Sequence, residues 1–219
     1  MAMSFVFEQV RVGGDRNFGY LLGDRDEGKA CLIDPSYSPD LLVERAEAQG
    51  LKIELIINTH SHGDHTNGNG KAQQLTGAPV AAYQESAIQP DRELVEGQIL
   101  RFGSVVIKVL YTPGHCSDHI VLYLPNQDAA ITGDHLFVGK IGGTMTDEAA
   151  EQQFISLRRM VDELPSHTTL WPGHDMGCRP SSTMAWELAT NPFLIVKNLD
   201  EFIARKNQWS EFKQEHGLL

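Results

Sequence analysis

The chain has 219 residues, of which 41% are hydrophobic and 21% are charged, and its formal net charge is −11. These proportions exclude an intrinsically disordered chain and allow a sizeable core without disulfide bonds. The acidic balance and the absence of any run of Lys and Arg argue against a nucleic-acid partner, because phosphate binding depends on clustered basic residues.

The first third of the chain alternates short apolar segments with turns, a pattern typical of antiparallel strands. Three strands are predicted there, at 5–10, 18–22 and 30–34. A helix is predicted at 38–50, with Ser38 as the N-cap, Pro39 at the first helical position and Gly50 as the stop.

The rest of the chain mixes strands and helices. Strands are predicted at 53–58, 105–110, 120–124, 129–132 and 169–171, and helices at 148–163, 183–189 and 192–206. Strands with helices between and after them favour an α/β layered sandwich over an all-β barrel. Because no repeat or linker marks a boundary, residues 1–219 are predicted to form a single domain with a short helical flank at about 181–219.

The N-terminal segment and the cysteine spacing indicate the cellular compartment. The N-terminus carries no basic segment followed by a long apolar one, and no stretch reaches the roughly 18 apolar residues of a membrane span. A cytoplasmic protein with no membrane partner is therefore expected. The three cysteines are odd in number and lack C-x-x-C spacing, which argues against a disulfide framework and a thiolate zinc site.

A dense group of potential metal ligands follows the strand at 53–58. The segment 59–65, Thr-His-Ser-His-Gly-Asp-His, holds three imidazoles and a carboxylate. Residues two apart in an extended segment point to the same side, so His60 and His62 are predicted to bind one cation. Asp64 and His65 lie beyond a turn and are predicted to bind a second. Four such groups would repel one another on protonation unless a cation compensated for them.

Three later segments share one design, in which an apolar strand is followed by a turn with glycine and then by a potential ligand. Glycine lets the backbone bend sharply, so strand-end loops can bring distant residues to one point. We predict that His115 completes the first cation site, that His174 completes the second, and that Asp134 bridges the two. This nitrogen and oxygen ligand set suits zinc or iron, and its carboxylates also admit manganese.

The His-x-His-x-Asp-His motif at 60–65, together with His115, Asp134 and His174, resembles the metallo-β-lactamase superfamily. The segments Thr-Gly-Asp-His-Leu-Phe-Val at 132–138 and Gly-His-Asp at 173–175 look like the glyoxalase II (hydroxyacylglutathione hydrolase) branch. The resemblance implies a four-layer αββα sandwich and a centre of two metal ions.

Two cations a few ångströms apart lower the pKa of a shared water and polarise a carbonyl group. The sequence therefore predicts a metallo-hydrolase in which a metal-bridging hydroxide, supported by Asp64 and Asp134, cleaves a small thioester or ester of the S-acylglutathione type. No G-x-S-x-G or phosphate-binding glycine motif competes with this interpretation. Lys140 and Arg179 lie near the ligand segments and are candidates for contact with a substrate carboxylate.

Three other functions stay open at this point. Persulfide dioxygenases share the motif and are expected to use one iron held by residues matching His60, His115 and Asp134, and the segment His-Asp-Met-Gly at 174–177 is similar to that branch as well. Lactonases and β-lactamases of the superfamily offer the same ligands. A non-enzymatic metal-binding module would more often saturate its cations with protein ligands.

Some features receive no predicted role. Four histidines stay unassigned: His119, His135, His167 and His216. Glyoxalase II proteins carry a longer helical C-terminal domain with basic residues for glutathione, so the flank at about 181–219 leaves glutathione recognition open. The oligomeric state is also left open.

Overall fold

The first of two six-stranded sheets comes from the N-terminal half of the chain. The structure is a computed structural model that describes residues 4–215, so residues 216–219 of the predicted flank, with His216, lie outside it. This sheet contains, in spatial order, β1 (Phe5–Gly13), β2 (Asn17–Asp24), β3 (Lys29–Ile33), β4 (Lys52–Ile57), β5 (Val80–Tyr83) and β6 (Arg92–Leu94). The first three strands pair antiparallel, as predicted, and β3 to β6 pair parallel. Its connections contain helices α1 (Pro39–Glu47), α2 (Gly63–Thr66) and α3 (Asn69–Thr76).

The second half of the chain forms the other sheet and its helices. Its strands are β7 (Ile99–Phe102), β8 (Val105–Tyr111), β9 (Ile120–Leu124), β10 (Ala129–Gly133), the hairpin β11 (Leu136–Phe137) and β12 (Lys140–Ile141), β13 (Thr169–Pro172) and β14 (Ser182–Thr183). The spatial order of the sheet is β14-β13-β10-β9-β8-β7, with only β10 and β13 parallel. The helices are α4 (Asp147–Glu163), α5 (Met184–Thr190) and α6 (Leu199–Glu215), and a short 3-10 helix spans Pro125–Gln127.

Three clusters of buried apolar side chains hold the layers together. Tyr20 and Leu22 of β2 point into the cluster between the sheets, whereas Leu21 of the same strand joins a cluster under α1 and α3. The third cluster packs α4 and α6 on the second sheet through residues such as Leu157 and Phe202. The layer order is helix, sheet, sheet, helix, which confirms the predicted αββα sandwich and α/β class. Within residues 4–215 no helix is long and apolar enough to cross a membrane.

One local prediction was confirmed in position but not in its bonding, and another was wrong. Ser38 stands at the predicted N-cap position of α1, but its hydroxyl donates to the carbonyl of Val12 and makes no capping bond. The helix predicted at 192–206 begins only at Leu199. Asn198 caps this helix, because its Oδ1 accepts a hydrogen bond from Glu201 N at 2.9 Å, and the residues before it form turns in which Arg158 of α4 donates to the carbonyls of Leu194 and Val196.

The N-terminus of α4 offers a stability prediction. Thr146 Oγ1 accepts a hydrogen bond from Ala149 N at 3.2 Å and satisfies one of the free amides of the first turn. Replacing Thr146 with alanine is expected to cost about 1 kcal/mol and to lower Tm by about 3 °C in a protein of this size. Thermal unfolding followed by circular dichroism measures this, and an unchanged Tm would contradict the capping role.

Candidate metal centre

Three imidazole nitrogens meet at one point beyond the ends of β4 and β8. His60 Nε2 lies 3.0 Å from His62 Nδ1, and His115 Nε2 lies 3.1 Å from the same His62 atom. All three atoms are within 4.8 Å of one another. The structure thus brings together the three residues that the sequence assigns to the first cation.

The hydrogen bonds of this first group leave lone pairs pointing inward. His115 Nδ1 donates to the carbonyl of Gly143 at 2.7 Å, so its Nε2 is free to bind. His60 Nδ1 lies 3.1 Å from Thr59 Oγ1, whose own hydrogen goes to Asp34 at 2.6 Å. Burial lowers the pKa of both His60 and His115, so both rings favour the neutral form. Neither then carries the second ring proton that a hydrogen bond to His62 would need. Facing lone pairs about 3 Å apart therefore fit a cation.

A second group of potential ligands lies beside the first. His65 Nε2 is 3.2 Å from His174 Nε2, and Asp64 Oδ2 is 3.3 Å from His174 Nε2 and 3.6 Å from His65 Nε2. Asp64 and His65 stand on the short helix α2, and His174 follows β13. These three residues are the set predicted for the second cation.

Asp134 lies between the two groups. Its Oδ2 is 3.6 Å from His115 Nε2 and 3.4 Å from His174 Nε2, and its Oδ1 is 3.4 Å from His65 Nε2. Oδ1 is buried and has no hydrogen-bond partner among residues 4–215. An unpaired buried polar atom costs about 1–3 kcal/mol, which coordination would offset. The carboxylate is therefore placed to be shared by two cations.

The second group has the electrostatics of a site that exchanges protons for a cation. Burial opposes protonation of His174, but hydrogen bonds to Asp134 and Asp64 outweigh it and raise its pKa to about 10. The pKa of His65 is also raised, because Asp34 and Asp134 outweigh its burial. The neighbouring histidines lower the pKa of Asp64. They also lower the pKa of Asp134, because their effect outweighs that of burial, which would raise it. A divalent cation supplies the positive charge that these protons provide in its absence.

A family model for the metallo-beta-lactamase superfamily matches residues 12–188. The chain belongs to the metallo-β-lactamase superfamily. The match includes all seven ligand candidates, and their His and Asp side chains form the metal-binding cluster typical of this fold.

Relatives from two branches are similar to the chain to the same degree. The persulfide dioxygenase ETHE1, mitochondrial, of Mus musculus is 33% identical over 193 residues, 85% of this chain and 74% of that protein. The hydroxyacylglutathione hydrolase of Francisella philomiragia is 32% identical over 203 residues, 92% of this chain and 76% of that protein. The crystal structure of ETHE1 from Myxococcus xanthus superposes with a TM-score of 0.85 at 32% identity, covering 92% of this chain and 90% of that one. The chain is thus a metalloenzyme of the superfamily.

Asp34 supports the metal centre through a contact with His65, and the sequence did not predict this role. Its Oδ2 lies 2.9 Å from His65 Nδ1, and it accepts hydrogen bonds from Thr59 N at 2.8 Å and Thr59 Oγ1 at 2.6 Å. Such a carboxylate fixes the tautomer and orientation of a ligand histidine. The signal available was its place directly after strand β3, which resembles that of Asp134 after β10.

Replacing Asp34 with asparagine is expected to weaken binding of the second cation by about 10–100-fold. The amide NH₂ group would place a donor against the N–H of Thr59 or of His65, where the carboxylate offers acceptors on both sides. Competition with a chromophoric chelator measures the Kd. Asp40→Asn, at an exposed carboxylate on α1, is the control, and equal Kd values for the two variants would refute the supporting role.

His119 is a second supporting residue for which the sequence predicted no role. Its Nε2 accepts a hydrogen bond from Asp134 N at 3.1 Å, and its Nδ1 lies 2.9 Å from Thr112 Oγ1. Burial lowers its pKa, so the neutral ring can serve as an acceptor. His119 therefore fixes the backbone at Asp134. Gly133 just before it has φ of +50°, and a Cβ there would lie 2.7 Å from His119 Nε2.

The two candidate substrate residues contact side chains outside the ligand set. Lys140 Nζ is 3.1 Å from Met176 Sδ and 5.4 Å from the ring centroid of Phe137, which in turn contacts the His174 ring at 5.9 Å. Arg179 donates to Ser182 Oγ at 3.0 Å and lies over the Trp186 ring. Contact of either residue with a substrate stays a prediction.

The other unassigned groups are not members of the ligand set, although His135 and Cys116 directly follow the ligand candidates Asp134 and His115 in the chain. Burial lowers the pKa of His135 to about 3, so this ring is neutral. His167 pairs with Asp128 at the surface, with 3.0 Å between Nε2 and Oδ1. The three cysteines are free thiols.

Proposed function

We propose that this protein is a two-cation hydrolase that cleaves a small thioester or ester of the S-acylglutathione type. The observation that carries the proposal is the position of Asp134, whose carboxylate lies within 3.6 Å of nitrogen atoms from both ligand groups. A centre with one cation needs only one of these groups. Two complete ligand groups that share a carboxylate suit a site for two metal ions.

The residues divide between two positions. His60, His62 and His115 would hold the first cation, and Asp64, His65 and His174 the second, with Asp134 shared. When bound, the pair supplies a water of lowered pKa and a Lewis acid for the substrate carbonyl. We propose zinc as the main occupant, with iron or manganese as alternatives that the same atoms accept.

The candidate ligands differ in burial. His60 and His65 are buried, whereas His62 is exposed and the side chain of Asp64 is a third exposed, so we propose that substrate arrives from the side of these two residues. The low pKa of Asp64 keeps it ionised, so it can accept a hydrogen bond from the attacking water and orient it.

A thioester suits this site better than an ester, because the leaving groups differ in basicity. A thiol has a pKa near 8.5, so a thiolate departs near neutral pH without a general acid. An alkoxide would need a proton at that moment, and the nearby His65 and His174 would be engaged as ligands. We therefore propose thioesters as the preferred substrate class.

Persulfide oxidation is the second candidate. Two observations favour it: the 33% identity to the mouse persulfide dioxygenase and the coverage of 90% of the Myxococcus xanthus ETHE1 chain. This reaction would use one iron at His60, His115 and Asp134, which lie in the same cluster. The two candidates therefore differ in metal count and in oxygen consumption.

The test uses the purified protein, loaded with zinc or with iron and analysed for metal content. Hydrolysis of S-lactoylglutathione is followed as loss of thioester absorbance, and oxygen uptake is recorded with glutathione persulfide. We expect hydrolysis that is lost in Asp64→Ala and retained in Asp40→Ala, an exposed aspartate on α1. Oxygen uptake by the iron form without hydrolysis by either form would refute the hydrolase, and turnover of lactones alone would replace the substrate class.

A further inference from the structure

Asn17 lies where the first sheet meets the loop that carries His174. It is the first residue of β2 and is completely buried. Phe18 N donates to the carbonyl of Gly173 at 2.8 Å, and Asn17 and His174 form an antiparallel bridge. The backbone therefore fixes Asn17 beside the second ligand group.

The side-chain amide of Asn17 is directed at Asp64. Its Nδ2 donates to Asp64 Oδ2 at 2.9 Å, approaches the Asp64 carbonyl at 3.3 Å, and lies 3.5 Å from His174 Nε2. Asp64 is a third exposed and stands on α2, a helix of four residues. Such a side chain loses rotamer freedom when it binds a cation, and a fixed donor reduces that loss.

The amide of Asn17 is held there at the expense of stability. Its Oδ1 is buried without a hydrogen-bond partner among residues 4–215, which costs about 1–3 kcal/mol. Room for this oxygen depends on Gly14, where φ is +58° and a Cβ would lie 2.5 Å from it. An apolar side chain would avoid this cost, so the amide points to a role in binding rather than in folding.

We propose that Asn17 is a positioning residue that holds Asp64 Oδ2 in place as a ligand of the second cation and so sets the occupancy of that position. The proposal rests on the two-cation centre proposed above. A carboxylate has about four lone-pair sites, so the bond from Asn17 leaves others for a cation. The amide is neutral, and it orients Asp64 without the repulsion that a Lys or Arg donor would exert on the metal.

Cobalt(II) titration of the metal-stripped protein tests the proposal, because the visible spectrum follows each equivalent that binds. The variant is Asn17→Leu, which keeps the approximate volume and removes the donor, and Asn17→Ala repeats the test without added bulk. We expect the Kd of the second equivalent to rise by about 10–100-fold while the first changes by less than about threefold. His174→Ala, which lacks a ligand of the second position, gives the reference for its loss.

Each outcome decides one question. Two equivalents in the wild type with an unchanged second Kd in both variants would overturn the role of Asn17 and leave the two-cation centre intact. An equal weakening of both equivalents would show a general structural effect and would also overturn it. A single equivalent in the wild type would overturn the two-cation centre, and the role of Asn17 with it.

Discussion

Replacing Asp134 with asparagine is expected to lower kcat/KM for thioester hydrolysis by about 1,000-fold, which corresponds to about 4 kcal/mol. The change keeps the size of the side chain but removes the negative charge that lies within 3.6 Å of nitrogens in both ligand groups. An amide has one acceptor oxygen and cannot be shared by two cations as a carboxylate can. The variant should also bind fewer metal ions per chain.

The matched control for this variant is Asp24→Asn. Asp24 is a buried carboxylate at the far end of β2, where it accepts hydrogen bonds from backbone amides, including that of Ser104 at 2.7 Å. Its replacement tests what the same chemical change does outside the metal centre. We expect kcat/KM of the control to stay within about threefold of wild type. A tenfold or smaller loss in Asp134→Asn would show that this carboxylate is not shared by the cations.

Removal of the metal ions is expected to abolish turnover and to lower Tm by about 10 °C. A ligand present at about 1,000 times its Kd stabilises the folded chain by about 4 kcal/mol, and each kcal/mol shifts Tm by about 2–4 °C at this size. Differential scanning calorimetry of loaded and chelator-treated protein measures the shift. Equal Tm values for the two forms would mean that the cluster does not bind metal tightly.

The same Tm difference should depend on pH. In the metal-free chain the carboxylates of Asp134 and Asp64 outweigh burial and hold the pKa of His174 at about 10, above the unfolded value near 6.5. A raised pKa adds stability that is complete below about pH 6.5 and is lost as pH rises through about 10. The bound cation takes the place of these protons. The difference in Tm between loaded and metal-free protein should therefore be larger at pH 9.5 than at pH 7, and a smaller one would contradict this electrostatic account.

Local patterns in the sequence predicted much of the fold. Helix α4 spans Asp147–Glu163 where the sequence predicts 148–163, and α1 begins at Pro39 as the sequence indicates. Capping and periodicity involve residues within one or two turns of each other, so they can be predicted without the tertiary structure. The helix predicted at 192–206 begins later, at Leu199, and the turns before it are joined to another helix by hydrogen bonds from Arg158, a tertiary contact that periodicity does not encode.

The candidate site likewise has features that the sequence predicted and features that it did not. The sequence by itself predicted the candidate ligands, their grouping into two sets and the strand-end loops that carry them, because glycine turns and the spacing at 60–65 are local properties. Only the tertiary structure decided which residues support those ligands. Asp34 contacts His65 across 31 positions, His119 contacts Asp134 across 15, and Asn17 contacts Asp64 across 47. These contacts arise from the pairing of strands and the packing of two sheets, and no spacing along the chain encodes the distance between side chains that meet in this way.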